Sequence, residues 1–529
     1  MRTRLMISFL LFLSITGGAS GFCLALMVDT GHATHLTSPL SGPGDDTLCP
    51  PLDPPSGPTV TVSTEAELRT QAANAAPGTT ILVAAGTYNL QDAVWVQHDD
   101  VAIRGATGNR DDVILDGGGM LTRSHTHVIA IEADDVTVAD LTIRNGDEHG
   151  VSVQGSDRPV LYNLHVVDTG YQLVKVNPVG DGSDNGLLAC SRLEYTTTSP
   201  EDYTNGISAH DAHDWTVRDN EWYRIRTPHN EPVPTILFWS GSSDTVVERN
   251  LLVDCYQGIA FGNSSDDDIP SHIGGVVRNN MIYASLPHDV AVEMVYASGD
   301  WLVANNTALL LNPNGVTWGM EARFSDTSGT FAYNLTNMDI WPDRDGGQGT
   351  LTGNVTNAQS SWFEDASNGD LHLRSSTTAA TLSDVSDDFD GDTRPIGAAP
   401  DVGADEYGVA PPEAVTDLRV SRAVTDSTTL TATLTWTPPS GAVTVTLRYA
   451  GAFITEANWA AAALLTDTLP GNTGTFTATL PYGGDHVYFA HRWQNASGVW
   501  SGLSNNGFWP AFHTYLPLVS RNRTVGRSK

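Results

Sequence analysis

Between residues 103 and 356 one short arrangement of apolar and polar positions recurs along the chain. An apolar residue is followed by two variable positions, a kept position, another variable position and usually a second apolar residue. The kept position holds Ala106, Leu141, Leu164 and Ser191, and then asparagine six times running, at Asn220, Asn250, Asn280, Asn306, Asn334 and Asn354. Its spacing is 20 to 35 residues, and the alternation inside each unit has a period of two. Repeats of that size built from short strands predict a solenoid in which each unit is one coil of stacked β-strands. The asparagines fall at a turn that points inward, where an unpaired amide is costly. On coils ~4.8 Å apart, stacked amides can hydrogen-bond one another along the axis.

Before the repeat, residues 59–63 alternate like a strand, and Thr64 with Glu67 has the form of a capping box opening a helix to about residue 76. Such a helix would cover the first coil and shield its open sheet edge. After the repeat, Pro411 and Pro412 mark a boundary. Alternating runs at 415–420, 429–436, 444–449, 475–480 and 487–494 then predict a β-sandwich. The expected organisation is a signal peptide (1–27), a linker rich in Pro, Gly, Ser and Asp (28–58), the solenoid (59–408), the sandwich (411–510) and a tail (511–529).

The repeat, with its opening strand from Thr80 to Tyr88, resembles the right-handed parallel β-helix of pectate-lyase-like secreted proteins. Trp436, the stretch from Val487 to Trp493 and the stretch from Gly498 to Ser501 resemble a fibronectin type III domain. The fold class expected is therefore all-β, a right-handed parallel β-helix followed by a fibronectin type III-like β-sandwich. In secreted bacterial enzymes such sandwiches serve as spacers or glycan-proximal adaptors. The β-helix hosts lyases, hydrolases, esterases, epimerases and adhesins, so the fold leaves activity open. The adjacent aspartates with Gly-His-Gly of polygalacturonase-like hydrolases are absent, as is the Gln-Asp-Thr motif of pectin-methylesterase-like proteins. The Lys and Arg positions also depart from the local motif of alginate-lyase-like and chondroitinase-like enzymes. The whole-domain likeness is to uncharacterised secreted β-helix repeat proteins carrying Leu-Val-Lys-Val and Ile-Leu-Phe-Trp segments.

Charge narrows the partners. With 61 acidic and 27 basic residues the net charge is −34, which repels nucleic acid and anionic membranes. An acidic polysaccharide would need a local basic site or a bridging cation, whereas a neutral glycan would need neither. Arg2 and Arg4 before the apolar run 5–15, followed by small residues 17–20, read as a secretory signal, with cleavage after Ala19 or somewhat later. Phe22 is too bulky for a lipoprotein site at Cys23, and no later apolar segment is long enough to span a membrane. A secreted or cell-surface location follows as an expectation. Thr514 to Ser520 with Arg521, Arg523 and Arg527 resembles a C-terminal address on exported bacterial proteins. Four cysteines are too few for a disulfide scaffold, and Cys190 and Cys255 fall in different columns of the repeat, so both are expected as buried small residues.

Candidate chemistry comes from aligning the coils. Taking Val151/Val153, Val174/Val176, Ile207/Ala209, Ile236/Phe238, Ile259/Phe261, Val290/Val292 and Met320/Ala322 as inward pairs makes their neighbours face outward. One face then carries Lys175, Asn177, His210, Trp239, Glu293, Glu321 and Arg323 over seven coils, about 30 Å. Trp239 offers a flat face to a sugar ring beside Gly262, and Tyr203 and Asp184 stand in insertions that could wall the groove. Lys175 is the only lysine besides Lys529 and lies among apolar residues, where desolvation would lower its pKa toward that of a general base. Lys175 with His210, or Arg323 near Glu321, could then serve β-elimination from a uronic acid, with Trp239, Glu293, Asn177 and Tyr203 binding substrate. The competing assignments are a solvated lysine, polar turn packing for His210, a loop-capping tryptophan and a cross-strand Glu321–Arg323 pair. Asp388, Asp390 and Asp392 alternate as Ca²⁺ ligands could, but equally as an ordinary turn, and Asp266 to Asp268 form a second acidic loop. The expected function is binding, and cleavage by a lyase, of an extracellular polysaccharide; the alternatives are a non-catalytic adhesion protein and a purely structural solenoid.

Overall fold

The computed structural model describes residues 48–509, except 123–125, 181, 232, 264–269, 313–317, 397, 409–413, 426–427, 440–441, 482–485 and 496–499. The signal-peptide, C-terminal-address, 411–412 boundary and 266–268 expectations lie outside the described residues.

The body is a parallel β-helix. Strands of successive coils pair in parallel and in register, as where Thr216, Val217 and Arg218 face Val246, Val247 and Glu248, which in turn face Val276, Val277 and Arg278. A ten-stranded parallel sheet running from Val94–Val96 to Ile340–Arg344 forms one side of the coil. Two further ladders meet at the asparagine corner, for example Val246–Glu248 before it and Leu251–Val253 after it. From Leu141 onward the residue before each kept position takes a left-handed conformation: φ is 56° at Cys190, 57° at Asp219, 50° at Arg249 and 54° at Asn279. That single reversal bends the chain between the two ladders and turns the next side chain inward.

The asparagines stack as expected. Nδ2 of Asn220 donates to Oδ1 of Asn250 at 3.0 Å, and the same bond links Asn250 to Asn280, Asn280 to Asn306, Asn306 to Asn334 and Asn334 to Asn354 at 2.9 to 3.0 Å. Each Oδ1 also accepts the backbone N–H of the preceding rung, and Nδ2 reaches a carbonyl on the preceding coil, Val217 in the case of Asn250. Ser191 extends the row by donating its backbone N–H to Asn220 and accepting that of Leu164. Inside the coil the wall residues Val217, Val247, Val277, Val303 and Phe331 are fully buried with Trp215, Trp222 and Trp301. Glycine is required where those rings approach the wall: a Cβ on Gly186 would lie 2.3 Å from the Trp215 ring, and one on Gly329 2.2 Å from Trp301.

The N-terminal end is closed by a helix, Glu65–Asn74, whose Thr64 and Glu67 form the reciprocal capping box and whose Leu68 and Ala72 enter the core. Part of the expected linker is not a linker. Residues 48–53 lie on the outside of the coil, where Leu52 packs against Ala139, Tyr162 and Ala189, and the Tyr162 hydroxyl donates to the Pro50 carbonyl at 2.6 Å. The expectation for Cys190 also fails: it forms a disulfide with Cys49, with Cα atoms 5.6 Å apart, while Cys255 is the buried free thiol. Comparing columns within the repeat excluded Cys255 as its partner but could not see a partner arriving from outside the repeat.

The coils end near Asn354, where the sequence repeat ends. The segment beyond doubles back over the outside, burying Phe363, Leu371, Phe389 and Val402 against Tyr223, Leu251, Met281 and Leu309. Arg394 fastens it, donating to Glu406, to the carbonyls of Gly403 and Ala404, and to Asn279 of the coil. The last domain has a three-stranded and a four-stranded antiparallel sheet that share one core containing Leu434, Leu447, Phe489 and Trp493. Two of its strands, Ala463–Pro470 and Gly507–Trp509, were not visible in the alternation.

Replacing Asn250 by alanine removes one donor and one acceptor from the middle of the row and leaves buried partners unsatisfied. We expect a loss of roughly 2–4 kcal/mol, read as a lower urea midpoint of the β-helix transition followed by circular dichroism.

Candidate functional site

The ten-stranded sheet sets the positions of the candidate residues. Its pairing puts Ser152, Lys175, Ser208, Leu237, Ala260, Glu293, Glu321 and Trp341 in one outward column. His210 pairs with Trp239 in the next column, and Val295 with Arg323 further along it. One assignment changes: the inward pair of the sixth coil is Val292/Met294, because Ile259 faces Val292 and Phe261 faces Met294. Glu293 therefore stands in the lysine column beside Glu321, not in the tryptophan column.

Two clusters result. In the first, Nζ of Lys175 lies 2.8 Å from Nε2 of His210, 3.2 Å from the Ser208 hydroxyl and 3.4 Å from the Tyr203 hydroxyl, with no carboxylate among its partners. The lysine is only 5% exposed. Burial pushes its pKa down to about 8. His210 is pushed down to about 4, first by burial and then by the lysine charge. At neutral pH a protonated amine therefore donates to a neutral imidazole. Trp239 sets its ring against His210, centroids 4.5 Å apart at 75°, which fixes the imidazole toward the lysine. Tyr203, 47% exposed, stands beside the lysine at the surface. Asn177 lies in register with Gln154 and is half-buried at the end of the lysine strand.

In the second cluster, Arg323 pairs with Glu293 at 3.3 Å and with Asp345 at 2.9 Å, and Arg344 holds both oxygens of Glu321 at 2.6 Å. The expected Glu321–Arg323 pair is thus exchanged for two crossed pairs. Gln257 donates to Glu293 at 2.7 Å. Burial, then the charge of Glu321, raises the Glu293 pKa well above the carboxylate range, and the same two causes raise Asp289. The clusters do not share one centre. Lys175 and Glu293 are four strand steps apart, about 19 Å, with the buried Leu237 and Ala260 between them.

Sequence reasoning missed Gln257, Arg344 and Asp345, and with them a file of rings ending at the lysine. Trp95, His127, His149, Tyr171 and Tyr203 follow one another with centroids 6.1, 5.2, 6.1 and 6.3 Å apart. The signal was present, since His127, His149 and Tyr171 are 22 residues apart, one coil each.

The three alternate aspartates take separate places. Asp388 is buried and accepts the backbone N–H groups of Asp390, Asp392 and Glu406, so both its oxygens organise the turn. Burial raises its pKa to about 8. The metal-ligand set expected from these three residues does not assemble: among the described residues, the group with ligand atoms mutually within 4.8 Å is His372, Asp390 and Asp405. There, against the burial that would lower it, hydrogen bonds to Asp370 and Asp390 push the His372 pKa up to about 11, so without a metal ion the ring is an imidazolium paired with both carboxylates.

No protein-family model matches the chain, and no curated protein matches it. Among solved structures, it is similar to an alginate lyase from Paenibacillus sp. str. FPU-7, at 16% identity over 56% of this chain and 99% of that one, with a TM-score of 0.39. It is also similar to pectate lyase Pel9A, at 12% identity over 64% and 90% with a TM-score of 0.43, and to the Dettilon tailspike protein, at 10% over 85% of each with a TM-score of 0.36.

Because the chain holds two lysines, a sample labelled with ¹⁵N-lysine should give two side-chain signals. We expect one to titrate near pH 8 and to be lost in Lys175→Ala. For Glu293 the folded state keeps a proton that the unfolded chain releases, so its contribution is full at low pH and is lost as pH rises through the raised pKa. In paired urea melts, the stability advantage of wild type over Glu293→Gln should shrink as pH rises above the ordinary glutamate range.

Proposed function

We propose that the chain is an exported protein that binds an extracellular polysaccharide along the ten-stranded face and cleaves it next to a uronate by β-elimination, with Lys175 as the base. The observation that carries this reading is a desolvated amine with no carboxylate partner among the described residues, 2.8 Å from a neutral imidazole and 3.4 Å from a phenol on an exposed wall. In the neutral amine, Nζ takes the proton α to the uronate carboxylate. The released electron pair forms a carbon–carbon double bond as the bond to the β glycosidic oxygen breaks. Tyr203 delivers a proton to that oxygen and recovers one from Lys175. His210 and Ser208 hold the amine in position by hydrogen bonds.

The same surroundings support a second reading, a non-catalytic cell-surface protein that only holds glycan. Lys175 is almost covered, and among the described residues its hydrogen-bond partners are Tyr203, Ser208 and His210, with no arginine beside them to neutralise a substrate carboxylate.

The two separate when the protein is incubated with polygalacturonate, alginate and hyaluronate and the ultraviolet absorbance of unsaturated products is followed. For a lyase the rate should rise with pH through about 8 as the amine loses its proton. Lys175→Ala should lower it by about 10²–10⁴. An unchanged rate in Lys175→Ala excludes the amine as base, and binding without product in the wild type favours the second reading.

A further inference from the structure

The lysine column does not end at the acidic cluster. Its next member after Glu321 is Trp341, six strand steps from Lys175, about 29 Å. Here, at the last coil, a cavity of about 560 Å³ opens, lined by Trp318, Asp339, Trp341, Leu351, Asn354 and Thr356 among others. Trp318 and Trp341 are half-buried and meet at 74° with centroids 4.4 Å apart, making two apolar walls.

Two polar features point to a ligand. The indole Nε1 of Trp318 is buried and has no hydrogen-bond partner among the described residues. Asn354 is the last rung of the asparagine row. On every other rung of that series Nδ2 donates both to a carbonyl of the preceding coil and to the next asparagine; on Asn354 it donates only to the Phe331 carbonyl. One amide hydrogen that the repeat would spend on a further coil is thus left over at the cavity wall.

A protein strand is a poor occupant. Pro342 sits in the terminal strand Ile340–Arg344, where it removes a donor that an added strand would need. Among the described residues no basic side chain lines the cavity, Arg344 over the Trp341 ring is held by Glu321, and Asp339 on the rim is exposed, so a carboxylate or phosphate is disfavoured.

We infer that this cavity is a distal subsite for an uncharged pyranose ring. The tryptophans take the apolar face of the sugar, the Trp318 N–H and the Asn354 amide donate to ring hydroxyls, and Asp339 accepts from one. The inference rests on the polysaccharide reading above for what runs along the sheet, and it narrows the substrate to a polymer that carries neutral rings as well as uronates.

The test is an intrinsic-fluorescence titration of the full chain with cellohexaose, mannohexaose and xylohexaose, which need no cation at Lys175. Wild type should bind at least one of them. Trp341→Ala should weaken that affinity about tenfold, and Trp318→Phe, which keeps a ring but loses the N–H, about fivefold. Absence of binding by the wild type at millimolar sugar, or an affinity unaltered in Trp341→Ala, overturns the subsite whatever the outcome with uronate polymers. So does a Trp341→Ala variant whose only change is conversion of a dimer to a monomer, which would make the cavity a contact between copies. Absence of elimination by the wild type with neutral-sugar binding intact would instead remove the lysine mechanism and leave the subsite standing.

Discussion

In-register stacking of one coil on the next is the constraint on which the rest of this molecule depends, and the buried amide row is where it is enforced. Each asparagine amide meets the rung on either side, so a coil displaced by one residue would strand a donor and an acceptor in an apolar interior. The apolar wall cannot enforce register equally well, because Val217, Val247 and Val277 are interchangeable in shape. Direction is specified by hydrogen bonds and cohesion by burial.

The same constraint builds the site. Stacking that places amide on amide inside the coil places unlike side chains on one another outside it, at one strand step apiece. Chemistry on this face is therefore decided by which residue types follow one another in a column. Where serine flanks lysine on both sides, the amine is desolvated without being neutralised. Where glutamate follows glutamate, one carboxyl keeps its proton and two arginines cross over to balance the other charges. In a chain this acidic, a buried amine without a counter-ion stands out against its surroundings.

Much of this was legible because period-two alternation and a polar residue kept in an apolar position leave strong marks. The asparagine row, the capping box at Thr64 and the column holding Lys175 and Ser208 followed from spacing alone. Glu293 did not, for a specific reason. Val290, Val292 and Met294 alternate over five residues, so two frames bury an aliphatic pair equally well, and only pairing with Ile259 and Phe261 selects the second. The salt bridges were misassigned because long arginine side chains reach across a strand, which column order does not encode. Cys49 was invisible as a partner since nothing in a Pro- and Gly-rich segment indicates the surface on which it lies.

That bond divides the solenoid into two mechanically different halves. A covalent ring now closes between positions 49 and 190 and contains the helix and the earliest coils, while the turns from Asn220 to Asn354 hang on hydrogen bonds and packing alone. Tension applied through the carboxyl end could unzip those later turns one after another, and the unravelling would halt at the cystine. Under oxidising conditions such a spiral would extend in steps to a fixed length and keep its amino-terminal portion wound.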